Sequence, residues 1–154
     1  MSPNQLPLSC YVDASFATNN DPHCQSTSGV ILKVFGNSII WWSRRQNITA
    51  LSTLVAEFYA LCESVRDVLW LKEHLQYLGV ILHSPITIFE DSLGCIAIAK
   101  DPTNHKGTRH LSTKLFFVRD EIQKGIVKLE HISTTEKLQI YFTKPLARPR
   151  FKLL

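Results

Sequence analysis

Three acids stand out by their setting. Asp13 ends the run Leu8-Ser9-Cys10-Tyr11-Val12, Asp91 ends the run Ile86-Thr87-Ile88-Phe89-Glu90, and Glu57 stands five residues after Ser52 at the start of a long segment of helix formers. A carboxylate among apolar neighbours is costly to bury as a charge unless a cation or hydrogen-bond donors meet it. Taken singly each has a plainer reading: an Asp at a strand end forms turns, and a Glu on a helix surface is solvated. Brought together, the three would repel and raise one another's pKa. A hard divalent cation removes that conflict, because Mg2+ takes oxygen ligands and keeps waters for a substrate phosphate. Two such ions a few ångströms apart activate a water and stabilise phosphoryl charge, which is the chemistry of phosphodiester cleavage.

The elements that would have to join these acids follow from the order of the chain. The first strand is expected over about Leu8–Ala14. A loop rich in turn formers follows, and Gly29 opens a second strand, Val30–Phe35. Gly36-Asn37 is a hairpin turn signal before a third strand, Ser38–Ser43, and Arg44-Arg45-Gln46-Asn47 is a basic link. Ser52 fits a helix N-cap and Gly79 a C-terminal stop. Between them apolar residues at 54, 58, 61, 65, 68 and 75 share one face, with Glu57 near its edge, about one turn in. The fourth strand is Ile86–Asp91, where alternation sends Glu90 and Asp91 to opposite sides. A short helix capped by Ser92 runs through Lys100, a second helix spans Thr113–Lys124, the last strand is about Ile126–Ile132, and a final helix starts near Thr134 or Thr135 and runs to Thr143.

This order, βββ-α-β-α-α-β-α, implies an α/β fold with a mixed five-stranded sheet: three antiparallel strands, then parallel ones, with helices on both faces. Right-handed crossovers put the first strand centrally, beside the fourth. Asp13 and Asp91 then occupy neighbouring strand ends, and Glu57 enters from the first turns of the intervening helix. Trp41 and Trp42 alternate across the sheet, so one goes to the core and the other beneath a helix.

With 154 residues, 45% of them apolar and 19% charged, the chain suits one domain with a real core. It divides into a lead-in at 1–7, a domain over 8–146 and a basic tail at 147–154. No apolar run is long enough to span a bilayer and the N-terminus lacks a signal-peptide pattern, so a soluble, non-secreted, intracellular protein without a membrane partner is expected. Cys10, Cys24, Cys62 and Cys95 form no CxxC pair and read as core thiols. Residues 1–99 hold five Lys/Arg against eight Asp/Glu, a net −3, whereas residues 100–154 hold twelve against five, a net +7. An acidic first part followed by a basic last third suggests a polyanionic partner such as nucleic acid.

The segments Tyr11-Val12-Asp13-Ala14-Ser15-Phe16-Ala17, Ser26-Thr27-Ser28-Gly29, Trp42-Ser43-Arg44-Arg45-Gln46, Ala50-Leu51-Ser52-Thr53 and Ala56-Glu57-Phe58 resemble the ribonuclease H domain of copia-type LTR retrotransposon Pol polyproteins. The resemblance continues through Glu90-Asp91-Ser92, Thr108-Arg109-His110-Leu111, Phe117-Val118-Arg119 and Thr143-Lys144-Pro145-Leu146, covering roughly residues 8–146 in the family's order. It implies a ribonuclease H-like fold that hydrolyses the RNA strand of an RNA–DNA hybrid with Mg2+ or Mn2+. It further implies a reverse transcriptase domain of the same polyprotein as partner, and the cytoplasm, a virus-like particle or the nucleus as location. Asp13 matches the acid that bridges the two metal ions of the family, Glu57 the second acid and Asp91 the third. The fourth acid falls, three residues before Thr143, on Ile140. Ile has no lone pair, so the three remaining acids suit a single ion, and hydrolysis is expected to be strongly reduced. Glu136 lies one helical turn from Ile140, about 5.4 Å, too far to replace it without rearrangement. Other departures are Val55, where the family has a Glu that completes a capping box, Glu90-Asp91-Ser92 for Cys-Asp-Asn, and Ser112 for an Asp. A catalytically dead nucleic-acid-binding or structural remnant of a Pol polyprotein is therefore the alternative to an enzyme. Candidate nucleic-acid contacts are Ser26, Thr27, Arg44, Arg45, Lys106, Arg109, His110 and Lys114, which offer donors or positive charge to phosphate.

Overall fold

The computed structural model describes residues 6–17, 25–83, 85–101 and 111–133. Eight elements occur in the order β1 (Leu8–Ser15), β2 (Thr27–Val34), β3 (Asn37–Arg45), α1 (Thr53–Tyr77), β4 (Ile86–Glu90), α2 (Leu93–Lys100), α3 (Ser112–Gln123) and β5 (Val127–His131). The strands form one sheet ordered β3-β2-β1-β4-β5. β1 and β3 flank β2 antiparallel, while β4 pairs parallel with both β1 and β5. The mixed sheet and the central place of β1 follow the sequence expectation. The final helix near 134–143, the 146 boundary, the tail 147–154, Cys24, Lys106, Arg109, His110, Glu136 and Ile140 lie outside the described residues.

Local chemistry explains most of the boundaries. The Ser52 side chain accepts from Val55 N at 3.2 Å and caps α1, whose first turn contains no acid because Val55 occupies the third position. At the other end Gly79 takes φ +81, its N–H donates to Gln76 O, and Val80 N donates to Leu75 O. These two bonds are the Schellman arrangement that terminates a helix on a left-handed glycine. α3 closes in the same way through Gly125 N to Ile122 O and Ile126 N to Glu121 O.

The first hairpin departs from expectation. The turn is Phe35-Gly36, both at positive φ (48 and 81), with Val34 paired to Asn37. A two-residue hairpin loop that matches the strand twist needs positive φ at both positions. Placing it one residue earlier leaves Phe35 exposed. Arg44 and Arg45, expected in a link, extend β3 by pairing with Ser28 and Thr27.

The sheet's two faces differ. One carries Leu8, Cys10, Val12, Val30, Leu32, Ile86, Ile88, Val127 and Leu129, packed with Phe58, Leu61, Val65 and Val68 of α1, Ile96 and Ile98 of α2, and Leu115 and Val118 of α3. The other carries Tyr11, Ile31, Phe89 and Ile132, with the Tyr11 and Phe89 rings stacked at 4.8 Å. All three described helices thus serve the first face. Cys10, Cys62 and Cys95 are buried free thiols, as expected. Trp42 is half-buried and donates from Nε1 to Asp67 Oδ2 at 2.7 Å, but Trp41 is 59% exposed and lies beneath none of the described helices.

Candidate metal centre

The parallel register of β1 and β4 pairs Tyr11 with Phe89. Asp13 and Asp91 each lie two residues further along, so the strands deliver both acids to the same end of the sheet. Asp13 is buried within β1 opposite Gly29 of β2, where the partner strand has no side chain to crowd it. Asp91 follows β4 directly and is half-buried. It is held by the structure around it: Ser92 N donates to Glu90 Oε1 at 3.0 Å, and the Ser92 side chain accepts from Cys95 N to cap α2. Glu57, fifth in α1, is buried and arrives from above.

Each of the three offers a carboxylate oxygen, and these oxygens lie within 4.8 Å of one another. Among the described residues this is the one group of three or more acidic, His or Cys side chains so placed. Two like charges at that separation repel by roughly 3 kcal/mol at an effective dielectric constant of about 20. The donor set, three hard oxygens from three segments with two of the acids buried, fits a divalent cation that takes oxygen ligands. Glu90, adjacent in sequence, goes the other way: it is fully buried and bonded to the Ser92 amide.

The basic candidates distribute unevenly. Ser43, Gly29 and Asp13 occupy one row across the sheet; Arg44 and Arg45 lie one and two rows beyond it, at the acid-bearing end. Both are exposed, and Arg44 stacks on Trp42 at 4.5 Å. Thr27, opposite Arg45, is partly exposed. Lys114, in the first turn of α3, sits over the Tyr59 ring of α1 at 4.5 Å, a contact that offsets its unfavourable place near a helix N-terminus. Ser26 does not reach the surface. It is fully buried, and its Oγ accepts from Ala17 N at 3.2 Å, which holds the chain just after β1.

Sequence reasoning assigned no role to Gln46 or Glu63, which line the base of this end. Gln46 is buried and donates from Nε2 to Ser28 Oγ at 2.9 Å and to Ala56 O at 2.8 Å. Ser28 in turn bonds Glu63, whose carboxyl is pushed up by burial, an effect the Ser28 bond and the Arg44 charge oppose. The only signal for Gln46 was its place in the motif beginning at Trp42, and a Gln after two Arg reads as one more surface residue.

No protein-family model matches the sequence. The chain is 30% identical over 149 residues to the retrovirus-related Pol polyprotein from transposon RE2 of Arabidopsis thaliana, covering 97% of this chain and 10% of that protein. It is 33% identical over 147 residues to the Pol polyprotein from transposon TNT 1-94 of Nicotiana tabacum, covering 95% and 11%. The chain thus spans about a tenth of the length of these curated relatives. Its fold matches LC11-RNase H1 from compost, with TM-score 0.59 and 16% identity over 84% of this chain and 86% of that one. It also matches prototype foamy virus protease-reverse transcriptase, with TM-score 0.63 and 16% identity over 92% of this chain and 20% of that one. LC11-RNase H1 has also been crystallised in complex with an RNA/DNA hybrid. This chain is a ribonuclease H-like domain homologous to a segment of the Pol polyproteins of copia-type transposons.

Proposed function

We propose that this ribonuclease H-derived domain cleaves the RNA strand of RNA–DNA hybrids in a divalent-metal-dependent reaction, at a rate limited by the loss of its fourth acid. The observation that carries the reading is the convergence of Asp13, Glu57 and Asp91 oxygens within 4.8 Å. Asp13, Glu57 and Asp91 would hold Mg2+ or Mn2+. Bound there, a divalent ion supplies Lewis-acid chemistry, lowering the pKa of a water and neutralising phosphoryl charge. Burial of Asp13 and Glu57 fixes their oxygens and limits their hydration, which keeps the site's geometry set before substrate arrives. Arg44, Arg45, Thr27 and Lys114, with Lys106, Arg109 and His110 of the 102–110 segment, would orient the hybrid through its phosphates and sugar hydroxyls. The match to the foamy virus protease-reverse transcriptase favours a reverse transcriptase segment of the same polyprotein as partner, and the Pol relatives favour an intracellular site of action.

Ile140 supplies the specific ground for a second reading, a domain that binds hybrids without cutting them, because its side chain offers no oxygen where the family carries the fourth acid. A hybrid with a labelled RNA strand, incubated with Mg2+ or Mn2+, separates the two. Slow cleavage is expected, lost in Asp13→Asn and increased about tenfold or more in Ile140→Asp. Salt-dependent binding with no cleavage in either the native chain or Ile140→Asp would install the second reading. Cleavage that survives Asp13→Asn would remove the metal centre from the reaction altogether.

A further inference from the structure

We propose that Gln46 is a positioning residue for the metal centre, one that sets the separation of Glu57 from Asp13. The inference rests on the metal-centre reading. Ala56 immediately precedes Glu57, and Ser28 immediately precedes Gly29, the residue paired with Asp13. The Gln46 carboxamide joins these two neighbours: Nε2 donates to Ala56 O at 2.8 Å and to Ser28 Oγ at 2.9 Å. Its backbone N–H donates to Ser26 O at 2.7 Å, so the residue that forms the bridge is itself anchored to the residue that leads into β2. Each bridged atom is therefore one residue away from a metal ligand or its strand partner.

The orientation of the amide is set by chemistry. Ala56 O can only accept, so the atom facing it must be the NH2 group. Gln46 is only 1% exposed, so water does not compete for these donors. Asn in its place falls a methylene short, and Met fills the volume with nothing to donate. The helix N-cap at Ser52 fixes where α1 starts, but it does not tie the first turn to β2; Gln46 does.

The test is Mn2+ titration of the full chain, followed by the electron paramagnetic resonance of free Mn2+, for the native protein, Gln46→Met, Ser28→Ala and Val127→Ala. Val127 is buried in β5, away from the acids, and reports what general loss of stability does to binding. Gln46→Met is expected to weaken Mn2+ binding about tenfold, Ser28→Ala about threefold, and Val127→Ala less than twofold. Should Gln46→Met not fold, Ser28→Ala decides, since it cuts one arm of the bridge at little cost in volume. Native affinity in both bridge variants, or an equal loss in Val127→Ala, overturns the positioning role while leaving the metal centre standing. No Mn2+ uptake by the native chain overturns the centre and the role together.

Discussion

Glu57 and Phe58 are neighbours on the first turns of α1, yet they serve regions built on opposite rules. Phe58 is fully buried in the apolar layer between α1 and the sheet, where each contact favours the folded state. Glu57 joins an end of the same sheet where three acids stand within 4.8 Å and, without a cation, work against it. The same strands build both regions: β1 contributes Cys10 and Val12 to the core and Asp13 to the acid cluster. Stability is thus supplied by the middle of the sheet and drawn down at its end, which is the arrangement expected of a site kept for binding.

That contrast can be broken from either side. Phe58→Ala should cost about 3–5 kcal/mol in urea unfolding, through lost burial and a residual cavity, while the folded fraction binds Mn2+ as before. A loss of Mn2+ affinity in the folded fraction would show that core and site are not separable. Asp13→Asn should act in the opposite direction: the metal-free protein gains about 1–2 kcal/mol as like-charge repulsion falls. The rise in melting temperature that Mn2+ gives the native chain should then vanish. An unchanged response to Mn2+ would place the ion elsewhere.

Ser52→Ala probes the turn that the two regions share. Removing the cap should cost about 1 kcal/mol and also weaken Mn2+ binding, because the first turn carrying Glu57 loosens. Weaker folding with intact affinity would show that the cap serves the core alone. The smallest effect concerns Glu63, whose carboxyl burial raises above its ordinary value. An acid with a raised folded pKa binds its proton more tightly in the folded state, so its contribution to stability falls as pH rises from the unfolded pKa through the folded one. Glu63→Gln removes that loss, and its melting temperature relative to the native chain should be higher near pH 7 than near pH 4. A pH-independent difference would assign the effect to packing.

Several positions show how much of this was legible beforehand. Ser52 and Gly79 marked the limits of α1 because capping is local chemistry, and the structure bears both out. Asp13 and Asp91 could be singled out because polar groups ending apolar runs are conspicuous, Glu57 because it stands at the edge of an apolar helix face, and strand order then brings Asp13 beside Asp91. The hairpin turn falls one residue earlier than expected because Gly36 fits either register, and it is Phe35, not Asn37, that takes the second positive φ. Ser26 looked like a phosphate contact because a serine in a polar loop is indistinguishable in type from one buried against Ala17. One of Trp41 and Trp42 was expected in the core and the other under a helix, but Trp41 lies on the edge strand and is exposed.

Local sequence set the types of the eight described elements, the Ser52 and Gly79 caps, the free thiols of Cys10, Cys62 and Cys95, and the identity of the three acids. These depend on near neighbours along the chain and on hydrophobic period. Tertiary structure alone decided that the acid oxygens meet within 4.8 Å, that Glu90 turns away from them, and that Gln46 bridges Ala56 to Ser28. Those relations join residues that share no local period, and they exist only once β2, the end of β3 and the first turn of α1 are packed together.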